Sequence, residues 1–295
     1  MAGGGVTNRA GAVVTSVHLG LSTCPNDTFA FHALMNGLVD LRGLRFDVEL
    51  LDVQELNRRL LAGEFDVAKA SFHAALHLAD ACVVLRCGSA LGFGVGPVLL
   101  GVRAAARPAD PIGEPPRPAR VLCPGRDTTA TLLYRLFHSG EGAMEQIVFS
   151  EIMPALVRGD ADFGVCIHEG RFTYMDHGLH LIEDLGTTWE QAVDAPLPLG
   201  GILGRRALGR SVVDTVQEVL ADSLRWAEDH REATLPTMRR HAQELGDEAI
   251  WAHVDLYVNA WTHDLGSEGA RALEALAHRA AVVGLVRRGA KLEIG

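Results

Sequence analysis

The chain has 295 residues, 48% of them hydrophobic and 22% charged, which is enough for one large α/β domain or two ordinary domains with sizeable apolar cores. Its 27 basic and 37 acidic residues give a formal net charge of -10, and the basic residues form no stripe, so the composition argues against a nucleic-acid partner. No apolar run reaches the ~20 residues that a membrane-spanning helix needs, so the sequence predicts no membrane span.

The cysteines and the N-terminal segment indicate the cellular compartment of the protein. The five cysteines, an odd number, form neither Cys-x-x-Cys pairs nor zinc-finger spacing. The Gly/Ala-rich residues before Val13 lack the apolar core of a signal peptide. Free thiols without an evident leader predict a cytoplasmic protein.

Strand and helix patterns alternate at the start of the chain. Apolar periodicity predicts strands and helices in turn, at Val14–Ser22, Thr28–Leu38, Arg45–Leu51, Val53–Leu61 and Asp66–Phe72.

Polar side chains follow two of these strands. Asn26 or Asp27 can cap the next helix, and the free amides there suit a carboxylate or a phosphate; an ordinary helix cap explains the same residues. Lys69 and Ser71 lie near the carboxyl end of the third strand, where the lysine either binds an anionic group or stays solvated.

Two segments share one order of features. Leu60–Ala68 and Leu156–Gly164 each run from a helix end through a glycine, two further residues and an aspartate into a buried strand. A junction of this kind also recurs by chance. Its repetition roughly a hundred residues apart predicts two similar α/β lobes that face each other.

The middle of the chain reads as a crossover between lobes. A strand at Ala81–Cys87 leads into the glycine-rich Gly88–Pro97, which runs into another predicted strand, Val98–Val102, and not into a helix, so a nucleotide-binding loop is rejected. Residues 107–118 hold five of the twelve prolines and predict a surface linker.

A second polar loop opens the second lobe. Pro124–Ala130 lies between a predicted strand, Arg120–Cys123, and a predicted helix, Thr131–Phe137. With Thr128 and Thr129 it forms a cradle for an anionic or polar ligand, or a plain N-cap. A strand at Gln146–Phe149 and a helix at Ile152–Val157 follow.

His168 is the leading catalytic candidate. The stretch Gly159–Tyr174 delivers His168, Glu169 and Arg171 just after a short apolar strand, the place where α/β folds present ligand-binding groups. The alternative is a structural or exposed residue, since the chain has 13 histidines.

The rest of the chain is mostly helical. Strands are predicted at Leu179–Ile182 and Gly201–Gly204, and amphipathic helices at Val212–Ala227, Ala233–His241, Glu248–Asn259 and Glu268–Val286. His253 and His263 in this region are predicted to be structural or exposed. The signatures of zinc peptidases, serine hydrolases and P-loop NTPases are missing.

Two lobes, two crossovers and returning C-terminal helices resemble the type II periplasmic-binding-protein fold, an α/β fold with a ligand cleft between its lobes. The resemblance implies a discontinuous first lobe, 14–102 and 199–295, with the C-terminal helices packed on it, and a second lobe, 103–198, that includes the linker. The motifs Ser22–Phe29, Pro124–Ala130, His168–Tyr174 and Pro196–Gly200 together resemble the 1,4-dihydroxy-6-naphthoate synthase family of the futalosine route to menaquinone.

That resemblance implies a lyase acting on cyclic dehypoxanthinyl futalosine without metal or organic cofactor. His168 matches the family's proton acceptor, with Glu169 or a backbone carbonyl orienting its ring. The substrate-binding residues implied for this small carboxylate substrate, together with their loop neighbours, are Asn26, Asp27, Lys69, Ala70, Ser71, Thr128, Thr129 and Ala130. Arg171 is set aside as a structural ion-pair partner.

A solute-binding protein that uses the same cleft without chemistry is the alternative, with His168 as a hydrogen-bond donor. The sequence does not predict an oligomeric state.

Overall fold

A computed structural model describes residues 6–7, 13–103, 118–168, 170–242 and 246–295. Nearly all of the predicted linker 107–118, and Glu169, lie outside these ranges.

The elements are numbered in chain order. The strands are β1 (Val6–Thr7), β2 (Val13–Ser22), β3 (Leu44–Leu51), β4 (Val67–Ser71), β5 (Cys82–Val84), β6 (Ala90–Gly92), β7 (Val98–Gly101), β8 (Arg120–Cys123), β9 (Ala143–Gln146), β10 (Phe163–Cys166), β11 (His180–Asp184) and β12 (Leu197–Arg205). The helices are α1 (Pro25–Ala30), α2 (His32–Met35), α3 (Val53–Ala62), α4 (Phe72–His77), α5 (Thr129–Phe137), α6 (Phe149–Arg158), α7 (Gly170–Thr173), α8 (Leu185–Val193), α9 (Arg210–Asp229), α10 (Arg231–His241), α11 (Asp247–Tyr257), α12 (Ala260–His263) and α13 (Gly266–Val282). Short 3₁₀ turns cover Tyr174–His177 and Arg206–Leu208.

The parallel strands of the two sheets have the same order and connectivity. In the first, β2 pairs in parallel with β3 on one side and β4 on the other; in the second, β8 pairs in parallel with β9 and β10 in the same way. Each third strand is then flanked by an antiparallel crossover strand, β12 beside β4 and β7 beside β10. Parallel neighbours require crossover connections, which the intervening helices supply. The two predicted α/β lobes are therefore present.

The strand β7 departs from the predicted lobe division. The boundary at residue 102 assigned it to the first lobe, but it pairs with β10 and β11 in the second sheet. A short apolar run reads alike in either sheet, so the sequence could not say which partner it takes. We therefore propose a first lobe of β1–β6, β12, α1–α4 and α9–α13, and a second lobe of β7–β11 and α5–α8.

Two local predictions also shift. Strand β9 ends at Gln146, where the predicted strand began, and α6 begins at Phe149. The strand β9 is a largely exposed edge whose polar residues hide the strand pattern, whereas the apolar Ile147 and Val148 lie in the loop. The glycine-rich crossover holds the short strand β6, which pairs with β12.

The repeated helix–glycine–aspartate–strand unit is confirmed. Helices α3 and α6 end at Gly63 and Gly159, both in the left-handed conformation (φ 86° and 79°) that favours glycine. After each, an aspartate carboxylate accepts the backbone N–H of a residue in or beside the lobe's first strand: His18 to Asp66 at 2.9 Å and Arg120 to Asp162 at 2.8 Å. These bonds fix where β4 and β10 enter their sheets.

The C-terminal helices pack on the first lobe. An apolar cluster joins Leu19 and Leu21 of β2 with Val216 and Leu220 of α9 and Ile250 of α11, all buried. Burying such side chains is the main favourable term in folding. Among the described residues, no helix combines the length and apolar character needed to cross a membrane.

Candidate functional site

A cleft lies where the two sheets present the carboxyl ends of their parallel strands. The first lobe contributes the loop after β2 and the last residues of β4, and the second lobe contributes the loops after β8 and β10. In each lobe these two strands are the first and third of the three parallel strands in chain order. They lie beside the point where the strand order of the sheet reverses, which is where open α/β sheets bind ligands. Every residue predicted for the site lines this one cleft, namely Asn26, Asp27, Lys69, Ala70, Ser71, Thr128, Thr129, Ala130 and His168.

Lys69 forms a buried ion pair with Asp27. Their Nζ and Oδ1 atoms are 2.6 Å apart, and the two side chains are only 8% and 2% exposed. Lys69 Nζ also donates to Gly88 O at 3.1 Å, and Ser22 Oγ donates to Asp27 Oδ2 at 2.7 Å. A charge this deep needs a partner. Lys69 is thus neither solvated nor an unpaired cation awaiting an anionic ligand.

The predicted helix cap at Asn26 or Asp27 is wrong. Helix α1 begins at Pro25, its N-cap is Cys24, and no side chain caps it. The Asp27 carboxylate is drawn to the buried lysine instead, since a charged partner there outweighs a surface cap.

Asn26 links this ion pair to a histidine from the far end of the chain. Asn26 Nδ2 donates to Asp27 Oδ1 at 3.0 Å, and His253 Nε2 lies 3.0 Å from Asn26 Oδ1. Burial lowers the pKa of His253 well below the ordinary imidazole value, and the charges of His168 and Lys69 lower it further. Sequence reasoning treated His253 as structural or exposed, yet it is 2% exposed and lines the cleft.

The start of α5 supplies donors from the second lobe. Thr128 is the N-cap: its Oγ1 accepts from Thr131 N at 3.2 Å and donates to Gly125 O at 2.8 Å. Thr129 Oγ1 donates to Leu199 O at 2.6 Å. Both hydroxyl protons serve the protein itself, while the N–H groups of Thr129 and Ala130 have no acceptor within the helix. This edge of the cleft therefore offers backbone amides at a helix N-terminus.

Ser71 offers a hydroxyl from the first lobe. Its backbone N–H donates to Asn57 Oδ1 at 2.9 Å, and its Oγ accepts from Asn57 Nδ2 at 3.1 Å. Because Asn57 is the donor in the second contact, the Ser71 proton points elsewhere and can be given to a ligand.

His168 has an unusual backbone. It follows β10 with φ +55°, a left-handed conformation uncommon for residues other than glycine and found often at active sites. Its half-buried ring meets the Phe149 ring edge-on at 4.9 Å and lies 6.3 Å from the His253 ring, tilted by 29°. The predicted role of Glu169 in orienting this ring falls outside the described residues.

Cys24 touches the His168 ring. Its Sγ is 3.3 Å from Nδ1 and 3.6 Å from Nε2. A sulfur nearly equidistant from both nitrogens cannot lie along the lone pair of either one, so it packs on the ring without forming an aligned hydrogen bond. Cys24 belongs to a quoted motif but was not selected as a site residue; this contact spans 144 residues.

Arg171 is a structural ion-pair partner, as predicted. Its guanidinium donates to Asp184 Oδ2 and to Gly96 O, each at 2.7 Å. Gly96 lines the cleft in the crossover from the first lobe, so this arginine fixes one wall. Among the described residues, no three His, Cys, Asp or Glu side chains are placed to share a metal ion.

Comparison with known proteins identifies the family of this chain. A family described as menaquinone biosynthesis matches residues 17–282. The chain is 42% identical over 270 residues to a curated protein of Thermus thermophilus, covering 92% of this chain and 96% of the relative. It is 39% identical over 276 residues to one of Streptomyces coelicolor, covering 92% and 95%. Both are named 1,4-dihydroxy-6-naphtoate synthase.

Solved structures share the fold. A crystal structure of an Archaeoglobus fulgidus protein superposes with a TM-score of 0.85 at 28% identity, covering 92% of this chain and 98% of that one. The alkanesulfonate-binding protein SsuA of Xanthomonas axonopodis pv. citri, bound to MOPS, gives a TM-score of 0.65 at 15% identity, covering 93% and 95%. The second likeness shows the fold alone, which is the predicted periplasmic-binding-protein type. On the family match and the two curated relatives, the chain belongs to the menaquinone-biosynthesis family that includes the 1,4-dihydroxy-6-naphthoate synthases.

Proposed function

We propose that this chain is a lyase that converts cyclic dehypoxanthinyl futalosine to 1,4-dihydroxy-6-naphthoate. The names of the two curated relatives support the reaction. The observation on which the chemistry rests is the position of His168, which follows the carboxyl end of β10 and lines the interlobe cleft.

His168 acts as the proton acceptor. An unperturbed imidazole has a pKa of about 6.5, so a neutral, positioned histidine accepts a proton at cytoplasmic pH. Its left-handed backbone and the Phe149 edge hold the ring in one place, as a general base requires.

The substrate carboxylate is held between the lobes. Ser71 contributes its hydroxyl, and Thr129 and Ala130 contribute their N–H groups at the positive end of the α5 dipole. Lys69 contributes through Asp27 and does not pair with the substrate directly. Ala70, Val95 and Leu199 form apolar wall for the aromatic ring.

The protein works in the cytoplasm without a metal or organic cofactor. All five cysteines are free thiols, which is usual in a reducing compartment. The chemistry assigned to the cleft is proton transfer by a side chain.

Product formation tests the reaction directly. Purified protein incubated with cyclic dehypoxanthinyl futalosine should release 1,4-dihydroxy-6-naphthoate, detected by chromatography and mass. A folded protein that binds this compound and leaves it intact would instead be a solute-binding protein with the same cleft.

A further inference from the structure

His253 is the buried cleft residue to which no chemistry is assigned above. It projects from α11, and its ring packs 4.5 Å from Tyr257 on the same helix and 6.5 Å from Phe172. Among the described residues, its Nδ1 is buried without a hydrogen-bond partner, while Nε2 meets Asn26. One ring nitrogen is thus engaged and the other is left in an apolar place.

The tautomer follows from the neighbouring groups. Asp27 Oδ1 is a carboxylate oxygen, already bound by Lys69, and can only accept; Asn26 must therefore turn its amide nitrogen to it. The Asn26 carbonyl oxygen then faces His253, and only an N–H can be offered to it. A neutral His253 therefore has its proton on Nε2, with a bare lone pair on Nδ1.

The charges around this ring oppose a second proton. Lys69 on β4 and His168 after β10 are the cationic or titratable groups whose charge acts on it, and Tyr257 is the phenol of its own helix. Asp27 on α1 would favour a cation, but its charge is already taken up by Lys69. A proton on Nδ1 would also lie buried without an acceptor.

We infer that His253 is a positioning residue for Asn26, a permanently neutral Nε2–H imidazole that leaves His168 as the proton-accepting ring of the pair. This inference rests on the proposed role of His168. The two imidazole rings are 6.3 Å apart, so a cationic His253 would oppose the charge that His168 acquires when it accepts a proton.

Two substitutions of His253 distinguish the role of its hydrogen-bond donor from the role of its imidazole ring. In His253→Gln the amide nitrogen reaches the place of Nε2, donates to Asn26 and never ionises; in His253→Asn it is too short to do so. We expect kcat to fall about tenfold or more in H253N, because a supporting hydrogen bond is lost. In H253Q most of the kcat should be restored, and the acid limb of the pH profile of kcat/KM should not move. His263→Gln, an exposed histidine paired with Glu228, is the matched control.

Ring ¹⁵N spectra of the full histidine-labelled chain provide a readout that does not depend on turnover or on variants that fold. The signal lost in H253Q should report a neutral Nε2–H tautomer from about pH 5.5 to 8.5, the window in which free imidazole titrates. A His253 that protonates there, or carries its proton on Nδ1, overturns the inference, as does equal kcat in H253N and H253Q. Full activity in a His168→Gln variant would instead refute the proposed function.

Discussion

The two repeated units are alike up to the last residues of their third strands and differ only there. Both have the helix end at a left-handed glycine, the aspartate that accepts an N–H from the lobe's first strand, and a short buried strand. Strand β4 then delivers Lys69 into a closed network of an ion pair and hydrogen bonds, whereas β10 is followed by His168, whose ring lines the cleft. One scaffold therefore serves two purposes: in the first lobe it holds a buried ion pair, and in the second it presents the proposed proton acceptor.

The buried pair of the first lobe should give the largest effect on stability. Lys69→Met removes the cation that pairs with Asp27, which is 2% exposed, so we expect a loss of about 3–5 kcal/mol in the free energy of unfolding, measured by urea denaturation. The control is Arg158→Met in the second unit, whose pair with Asp160 is more than half exposed and should be worth less than about 1 kcal/mol. Adding Asp27→Asn to K69M should recover part of the loss. Equal losses in K69M and R158M would contradict this difference between the two pairs.

The two helix-ending glycines sharpen the comparison. A left-handed alanine costs about 1–2 kcal/mol, the loss expected for Gly159→Ala, whose new Cβ meets nothing within 4 Å. In Gly63→Ala the Cβ would lie 3.0 Å from Arg205 Nη2, which donates to Leu60 O at the end of α3. G63A should therefore unfold at lower urea than G159A. The reverse order would show that the contact with Arg205 adds no strain at position 63.

Ser71 tests which donors remain for the ligand. Ser71→Ala removes the hydroxyl that we propose donates to the substrate carboxylate, so we expect KM to rise roughly tenfold with a smaller change in kcat. Ser150→Ala, an exposed serine on α6, is the control. A change in kcat alone would mean that Ser71 does not bind the ground state.

The fourth effect is confined to acid pH. Burial lowers the pKa of His73 to about 4, so between about 6.5 and 4 the unfolded chain binds a proton that the native protein does not. Stability therefore falls as the pH falls through this window. His73→Asn keeps a donor for Thr128 O, which is the partner of His73 Nδ1. Because asparagine does not titrate, this variant should lose less stability than the wild type over the same pH range. Parallel curves for the two proteins would refute a neutral, buried His73.

Much of this site could be predicted from local sequence. The glycine, aspartate and strand pattern located Lys69, Ser71 and His168, and the strand-to-helix junctions located Asn26 and Thr128, because each depends on neighbours along the chain. The pairing of Lys69 with Asp27 could not, since it joins residues 42 apart through the sheet.

The residues that were missed depend on tertiary packing alone. His253 sits in an ordinary amphipathic helix, and only the docking of α11 on α1 brings it to Asn26, 227 residues away. Strand β7 lies on the first-lobe side of the predicted boundary but pairs with the second sheet, because its apolar side chains suit either sheet. Patterns along the chain predict elements and the polar residues at their ends, whereas partners across the fold require the structure.

Turnover by His168→Gln is the most direct test of the central claim that the second unit presents the reactive group. The account predicts a fall in kcat of about 10²–10⁴ relative to the wild type, the usual worth of a general base, while the affinity for cyclic dehypoxanthinyl futalosine, measured by calorimetry, stays within a few-fold. His263→Gln should match the wild type in both. Unchanged turnover in H168Q would contradict the account.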